Sequence, residues 1–193
     1  MKKIFALAIS AGILMAACNS SDNSNNAGSN EEKVPVESVN TAAFNTSFET
    51  LLNDYYQLKD ALVATDTAAT NAAAAKLIVS SDSLLLAELN DSTGAVVATA
   101  QDYAKTISSK SAAILSSADV EEKRKEFQII SDAMYDLVRT VRFDNQTIYH
   151  QYCPMAFDDK GAYWLSNVSE IRNPYFGKKM LACGEVKDSL GFR

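Results

Sequence analysis

Between Thr41 and Arg142 apolar side chains return every three or four residues, in four stretches parted by turn-forming residues. Nothing else in the chain restricts its fold as much, because a period near 3.6 is satisfied only by helices that each bury one face. Phe44, Phe48, Leu51, Tyr55, Leu58 and Leu62 form the first stripe, and Thr65-Asp66-Thr67 ends it with a turn and a candidate N-cap. A second helix is expected from Ala68 to about Leu89, with Ala72, Ala75, Val79, Leu86 and Leu89 nearly in heptad register and Asp82 interrupting. The break at Asn90-Asp91-Ser92-Thr93-Gly94 leads into a third, from about Ala95 to Ser116, with Val97, Ala100, Ala104, Ile107 and Ile114 on one side. Asp119 with Glu122 has the spacing of a capping box and marks the start of a fourth, which runs to about Arg142. Phe127, Ile130, Met134, Leu137, Val138 and Val141 face inward on it, while Glu121 through Glu126 reads as a solvated mixed-charge face. Four helices of roughly 20 residues with short links predict a mainly α fold, an antiparallel up-down four-helix bundle.

After Phe143 the composition changes. Residues 149–193 hold eight of the chain's seventeen aromatics and four of its seven glycines, enough aromatic area for this segment to dock on the bundle. Thr147-Ile148-Tyr149 suits a short extended piece. Asp158-Asp159-Lys160-Gly161 is a turn, Ala162 to Leu165 packs, and Pro174 opens a short helix that reaches Met180.

At the other end, Lys2 and Lys3 precede an apolar run from Ile4 to Met15, too short to span a bilayer and shaped like a secretory signal. Ala16-Ala17-Cys18 resembles the lipobox of bacterial lipoproteins, which implies cleavage after residue 17 and lipid attachment at Cys18. Residues 18–39, rich in Asn, Ser and Asp, then form a disordered linker, and 40–193 the folded domain. The expected location is the bacterial cell envelope, on the periplasmic side of the inner or outer membrane, held by the lipid alone. Loss of Lys2 and Lys3 takes the formal charge from −6 to −8, which gives no electrostatic case for nucleic acid or an anionic membrane surface.

The candidate chemistry lies in two short pieces. Tyr149-His150-Gln151-Tyr152-Cys153-Pro154-Met155 contains the only histidine, and Met180-Leu181-Ala182-Cys183-Gly184 the third cysteine. Imidazole, thiolate and thioether suit soft transition metals, Cu(I) and Ag(I) above all, so His150, Cys153, Met155, Met180 and Cys183 are the candidate metal ligands. Zinc fits less well because it leaves both methionines unexplained. Calcium and magnesium are excluded by ligand softness. A di-iron carboxylate bundle needs inward Glu-x-x-His pairs, which a chain with one histidine outside the helices does not have. The competing reading is a Cys153–Cys183 disulfide, natural in an oxidising compartment and contributing about 3–4 kcal/mol by loop closure. The residue patterns leave both open. No catalytic constellation stands out, and a thiol oxidoreductase would want Cys-x-x-Cys, so a binding protein is expected rather than an enzyme.

The same residues carry a resemblance. The stretch 149–156, then Gly161-Ala162-Tyr163-Trp164-Leu165-Ser166, Ile171-Arg172-Asn173-Pro174-Tyr175-Phe176-Gly177 and Met180 to Gly184 together resemble the domain of unknown function 3347 of Bacteroidota. The resemblance is close over 149–187 and looser over the helices. That family occurs as small lipoproteins and as extensions of heavy-metal efflux adaptors, which implies a copper or silver role and an efflux adaptor as partner. Tyr152-Cys153-Pro154-Met155 is also similar to the core of the short metal-binding domains of copper pumps, with Ala156 where those carry histidine and His150 as its substitute. The resemblance implies buffering of the ion or its delivery to efflux.

Overall fold

The computed structural model describes residues 37–192. The expected signal 1–17, the lipid-bearing Cys18 and the linker as far as residue 36 lie outside them. The chain is mainly helical, with a small antiparallel sheet at the C-terminal end. Helices α1 (Ala42–Ala64), α2 (Thr67–Asp82), α3 (Ala95–Ser116) and α4 (Val120–Val141) precede strands β1 (Ile148–Cys153), β2 (Ala162–Ser166) and β3 (Glu185–Leu190). Each helix packs on its successor, α1 also touches α4, and β2 lies against α4. Among the described residues no helix is long and apolar enough to cross a membrane.

The stripe on α1 is wholly buried, as is the one on α4. Local chemistry sets the ends of these helices. Asp66 accepts from the Ala69 amide at 2.9 Å and starts α2, while Thr65 takes a left-handed conformation (φ 57°) that closes α1. Asp119 accepts from the Glu121 amide at 2.6 Å and starts α4. The expected capping box is only half formed, because the Glu122 carboxylate pairs with Lys125 instead of reaching back.

Two expectations on the helices are corrected. The buried face of α2 is Thr70, Ala73, Ala74, Leu77, Ser80 and Ser81, whereas Val79 is 66% exposed and Ala72 and Ala75 face solvent. An alanine-rich run carries almost no amphipathic contrast, so the register had to be taken from Leu77. The helix also stops at Asp82, and Leu86–Glu88 is a separate 3-10 turn.

The second correction concerns the charged stretch on α4. Lys123 is fully buried and Arg124 is 2% exposed. The Lys123 ammonium donates to the Ile114 and Ser117 carbonyls and, at 2.9 Å, to Asn71. It thereby satisfies orphan acceptors at the C-terminus of α3. Arg124 reaches the end of α1 through Leu62 O and Thr65 Oγ1, pairs with Glu121 at 2.6 Å, and donates from Nε to Pro174 O at 2.9 Å.

The sheet has the order β2-β1-β3, both pairings antiparallel. The expected extended piece at 147–149 is the start of β1, and the aromatic run at 162–165 is β2. Tyr55 of α1 joins helices to sheet: its hydroxyl accepts from the Leu165 amide at 2.9 Å and meets Ser131 at 2.8 Å. At the corner between α1 and α2, Gly177 (φ +57°) lies so close that a Cβ would stand 2.6 Å from Thr65 Oγ1. Only glycine allows that approach.

Replacing Arg124 by Met is expected to destabilise the chain by about 2–4 kcal/mol, because the Pro174 carbonyl loses a donor in a buried setting and Glu121 loses its partner. Glu121 is 55% exposed, and Glu121→Gln is expected to lose less than about 1 kcal/mol. Urea unfolding of the two variants beside the wild type measures both.

Candidate functional site

Strand β1 carries His150 and Cys153, and its geometry sends them apart. Pairing with β2 is unbroken from Tyr149 to Cys153, with His150 opposite Leu165 and Cys153 opposite Ala162. Side chains three apart in a strand point to opposite faces. The expectation that His150 joins the sulfur ligands is therefore corrected: the imidazole is on the other side of the sheet. It is stacked between Tyr135 of α4, at 4.0 Å, and Tyr163 of β2, at 4.5 Å. Tyr152 continues the stack at 4.4 Å from Tyr163, with the Arg139 guanidinium over the Tyr135 ring and the Lys187 ammonium over Tyr152.

The cysteines do come together. Their sulfurs are 2.6 Å apart, well inside ordinary sulfur–sulfur contact and near bonding distance, with Cys153 fully buried and Cys183 half-buried. Asn173, itself fully buried, sets the position of Cys183. Its side-chain amide donates to the Cys183 carbonyl at 2.8 Å and its backbone amide to Leu181 O at 2.8 Å. The Asn173 side-chain oxygen accepts from the amides of Tyr175 and Phe176, so one side chain holds both arms of the loop. On the far side, Gly184 packs under Trp164, where a Cβ would come within 2.9 Å of the indole. Burial above all, then the adjoining Cys153, pushes the Cys183 thiol up to about 11, while an N–H from Met155 eases it slightly. At neutral pH that thiol is protonated and a weak nucleophile.

Met155 and Met180 line one open cleft beside this pair, together with Phe157, Tyr175 and Phe176. Met180 and Cys183 share a turn closed by the Cys183 amide to the Met180 carbonyl, at 3.0 Å. Pro174 does not open an α-helix as expected; a 3-10 turn spans Gly177–Met180. Of the five candidate ligands, four sulfur-bearing ones thus gather at one corner and the imidazole does not. Among the described residues no group of three or more His, Cys, Asp or Glu side chains forms a metal site. Sequence reasoning missed Asn173 and Tyr135. In the sequence the Asn-Pro pair marks the entry to a short helix, and nothing in it points to Cys183.

Burial in the stack lowers the affinity of His150 for a proton; Asp188 and Asp136 oppose this and Arg139 adds to it. A group that binds its proton less well when folded withdraws stability as pH falls below its unfolded value, near 6.5. The urea midpoint is therefore expected to fall between pH 7.5 and 5, and His150→Phe, which keeps a ring in the stack, to fall less. Equal losses in the two chains would show that His150 is not the cause.

The family model described as a protein of unknown function, DUF3347, matches residues 51–146. The match runs from the middle of α1 to the residues before β1. It covers the helices and stops short of 149–187, where the sequence resemblance is closest. No curated protein and no solved structure matches the chain. Through its helical part, the chain belongs to the DUF3347 family.

Proposed function

We propose that this chain is a non-enzymatic, lipid-anchored protein of the bacterial cell envelope that binds Cu(I) or Ag(I) at Cys153 and Cys183. Cys18 is the lipid attachment, and the ion is cargo, buffered or passed to a heavy-metal efflux adaptor. We further infer that the four helices run up and down as an antiparallel bundle, with the C-terminal segment docked on it. Two-residue and three-residue links at 65–66 and 117–119 and the packing of successive helices support that arrangement.

The observation that carries the functional reading is the meeting of two cysteines from distant parts of the chain beside a cleft lined by both Met155 and Met180. A soft cation prefers thiolate and thioether to any other side chain. Two thiolates on one metal stand roughly 4 Å apart, given metal–sulfur bonds of about 2.3 Å. The two sulfurs must therefore stand further apart in the metal-bound form than they do here. Asn173 holds the Cys183 backbone, so it is the half-buried side chain of Cys183 that turns about its Cα–Cβ bond, and each thiol gives up its proton on binding. The Tyr135–His150–Tyr163 stack is left to hold sheet against helix.

One observation favours a second reading. Two sulfurs in direct contact are placed to join as a disulfide, which would make the chain a stapled interaction module.

Reduced protein is expected to bind one equivalent of Cu(I), and Cys153→Ser with Cys183→Ser to weaken that binding at least about a hundredfold. Competition with a chromophoric Cu(I) chelator measures both. Unchanged affinity in the double variant would end the metal reading. A count of no free thiols in protein taken from its native envelope would support the staple.

A further inference from the structure

Met155 is 46% exposed, although a thioether is at home in a core. The backbone after it is unusual. Phe157, Asp158 and Asp159 have φ of 55°, 58° and 63°, three successive non-glycine residues in the left-handed region. Each such residue costs about 1–2 kcal/mol, Phe157 most plainly, so surrounding packing must hold the turn in place. Phe157 packs edge-on against Tyr175 at 5.3 Å and provides part of that hold. The result is an open cleft of about 490 Å³ with Met155 and Met180 in its wall and aromatic rings below them. Asp158 and Asp159 of the same turn also line it; Glu121 lines it too, but its carboxylate is paired with Arg124 at 2.6 Å. The one cation on the rim, Lys125, is paired with Glu122 at 2.6 Å.

Thioether chemistry differs from thiol chemistry in two ways that matter here. A methionine sulfur carries no proton to displace, and it forms no disulfide. We propose that the Met155–Met180 cleft is a thioether site for a soft monovalent cation, Cu(I) or Ag(I), that works whether or not Cys153 and Cys183 are bridged. The rim carboxylates attract the cation and the two thioethers bind it. Since Met155 stands two residues from Cys153 and Met180 shares a turn with Cys183, the thioether site adjoins the thiol pair and leads to it when that pair is reduced. The ion class rests on the reading above; the site itself uses no thiol.

The test titrates the full chain, oxidised until no free thiol remains, with silver nitrate while the methionine methyl signals are followed by NMR. The methyls of Met155 and Met180 are expected to shift, and that of Met134, fully buried in the helical core, to stay. Met155→Leu with Met180→Leu is expected to weaken Ag(I) binding by the oxidised chain at least about tenfold. Cys153→Ser with Cys183→Ser, which cannot be bridged, is expected to show the same methyl shifts as the oxidised wild type. Methyls that stay put in both forms, or a leucine variant that binds like the wild type, would overturn the proposal. The reduced chain carrying both leucines tells the two readings apart: tight Ag(I) binding there, with none in the oxidised wild type, leaves the thiol site and removes this one. Loss of binding in the reduced double-serine chain relative to wild type bears on the thiols alone.

Discussion

A single buried guanidinium decides where the C-terminal third of the chain can go. Arg124 lies one turn into α4, yet it bonds to the Leu62 carbonyl and the Thr65 hydroxyl at the end of α1 and to the Pro174 carbonyl in the returning loop. Its charge is balanced only by the half-exposed Glu121, so carbonyl oxygens must supply most of its solvation. A buried cation of this kind tolerates little displacement, because each lost acceptor leaves part of the charge uncompensated. Pro174 is thereby fixed against the helices, its neighbour Asn173 is fixed with it, and Asn173 holds the Cys183 carbonyl. The meeting of the two sulfurs is the far end of that chain of contacts. It does not arise from attraction between the cysteines themselves.

The division of the candidate ligands follows from the strand. Once residues 148–153 become extended, period two separates His150 from Cys153 regardless of how the rest of the chain packs. Had the segment been helical, a spacing of three would have put them on one face. The imidazole is then free for a different task. Between Tyr135 and Tyr163 it forms the middle of a stack that crosses from α4 over the sheet, with a cation at each end. The rings adhere through their faces, so the stack resists sliding of the sheet along α4 more than a patch of aliphatic side chains would.

What could be read in advance tracks the strength of the apolar contrast. On α1 and α4 large apolar side chains alternate with polar ones at the right period, and both helices and their buried faces were legible. On α2 the contrast is carried almost by Leu77 alone among alanines, so its face was misassigned. The burial of Lys123 and Arg124 was not legible at all, since a charge run reads as solvated unless the carbonyls it will meet are known. Strand β3 was missed for a related reason: five of its six residues are exposed and it has no apolar alternation. At the candidate site, the convergence of the two Cys- and Met-bearing pieces was foreseen, whereas the place of His150 depended on a strand that Tyr149 only hinted at. The family resemblance in sequence is closest over 149–187, while the matching family model lies over residues 51–146.

The corner that remains joins two kinds of sulfur with different dependence on their surroundings. The thiols meet at 2.6 Å, and with Cys183 pushed up to about 11 their use as ligands requires both a reducing history and the loss of protons. The thioethers require neither, and they stand on the solvent side of the same corner, with Met155 held outward by a turn whose backbone is costly to maintain. Strain of that size costs stability, and it persists only where surrounding packing holds the turn. The arrangement makes sense if an exposed soft donor beside a protected one has a use of its own. On the proposed reading, a thioether site that keeps some affinity in an oxidising compartment while its stronger neighbour is closed holds an ion until that neighbour opens.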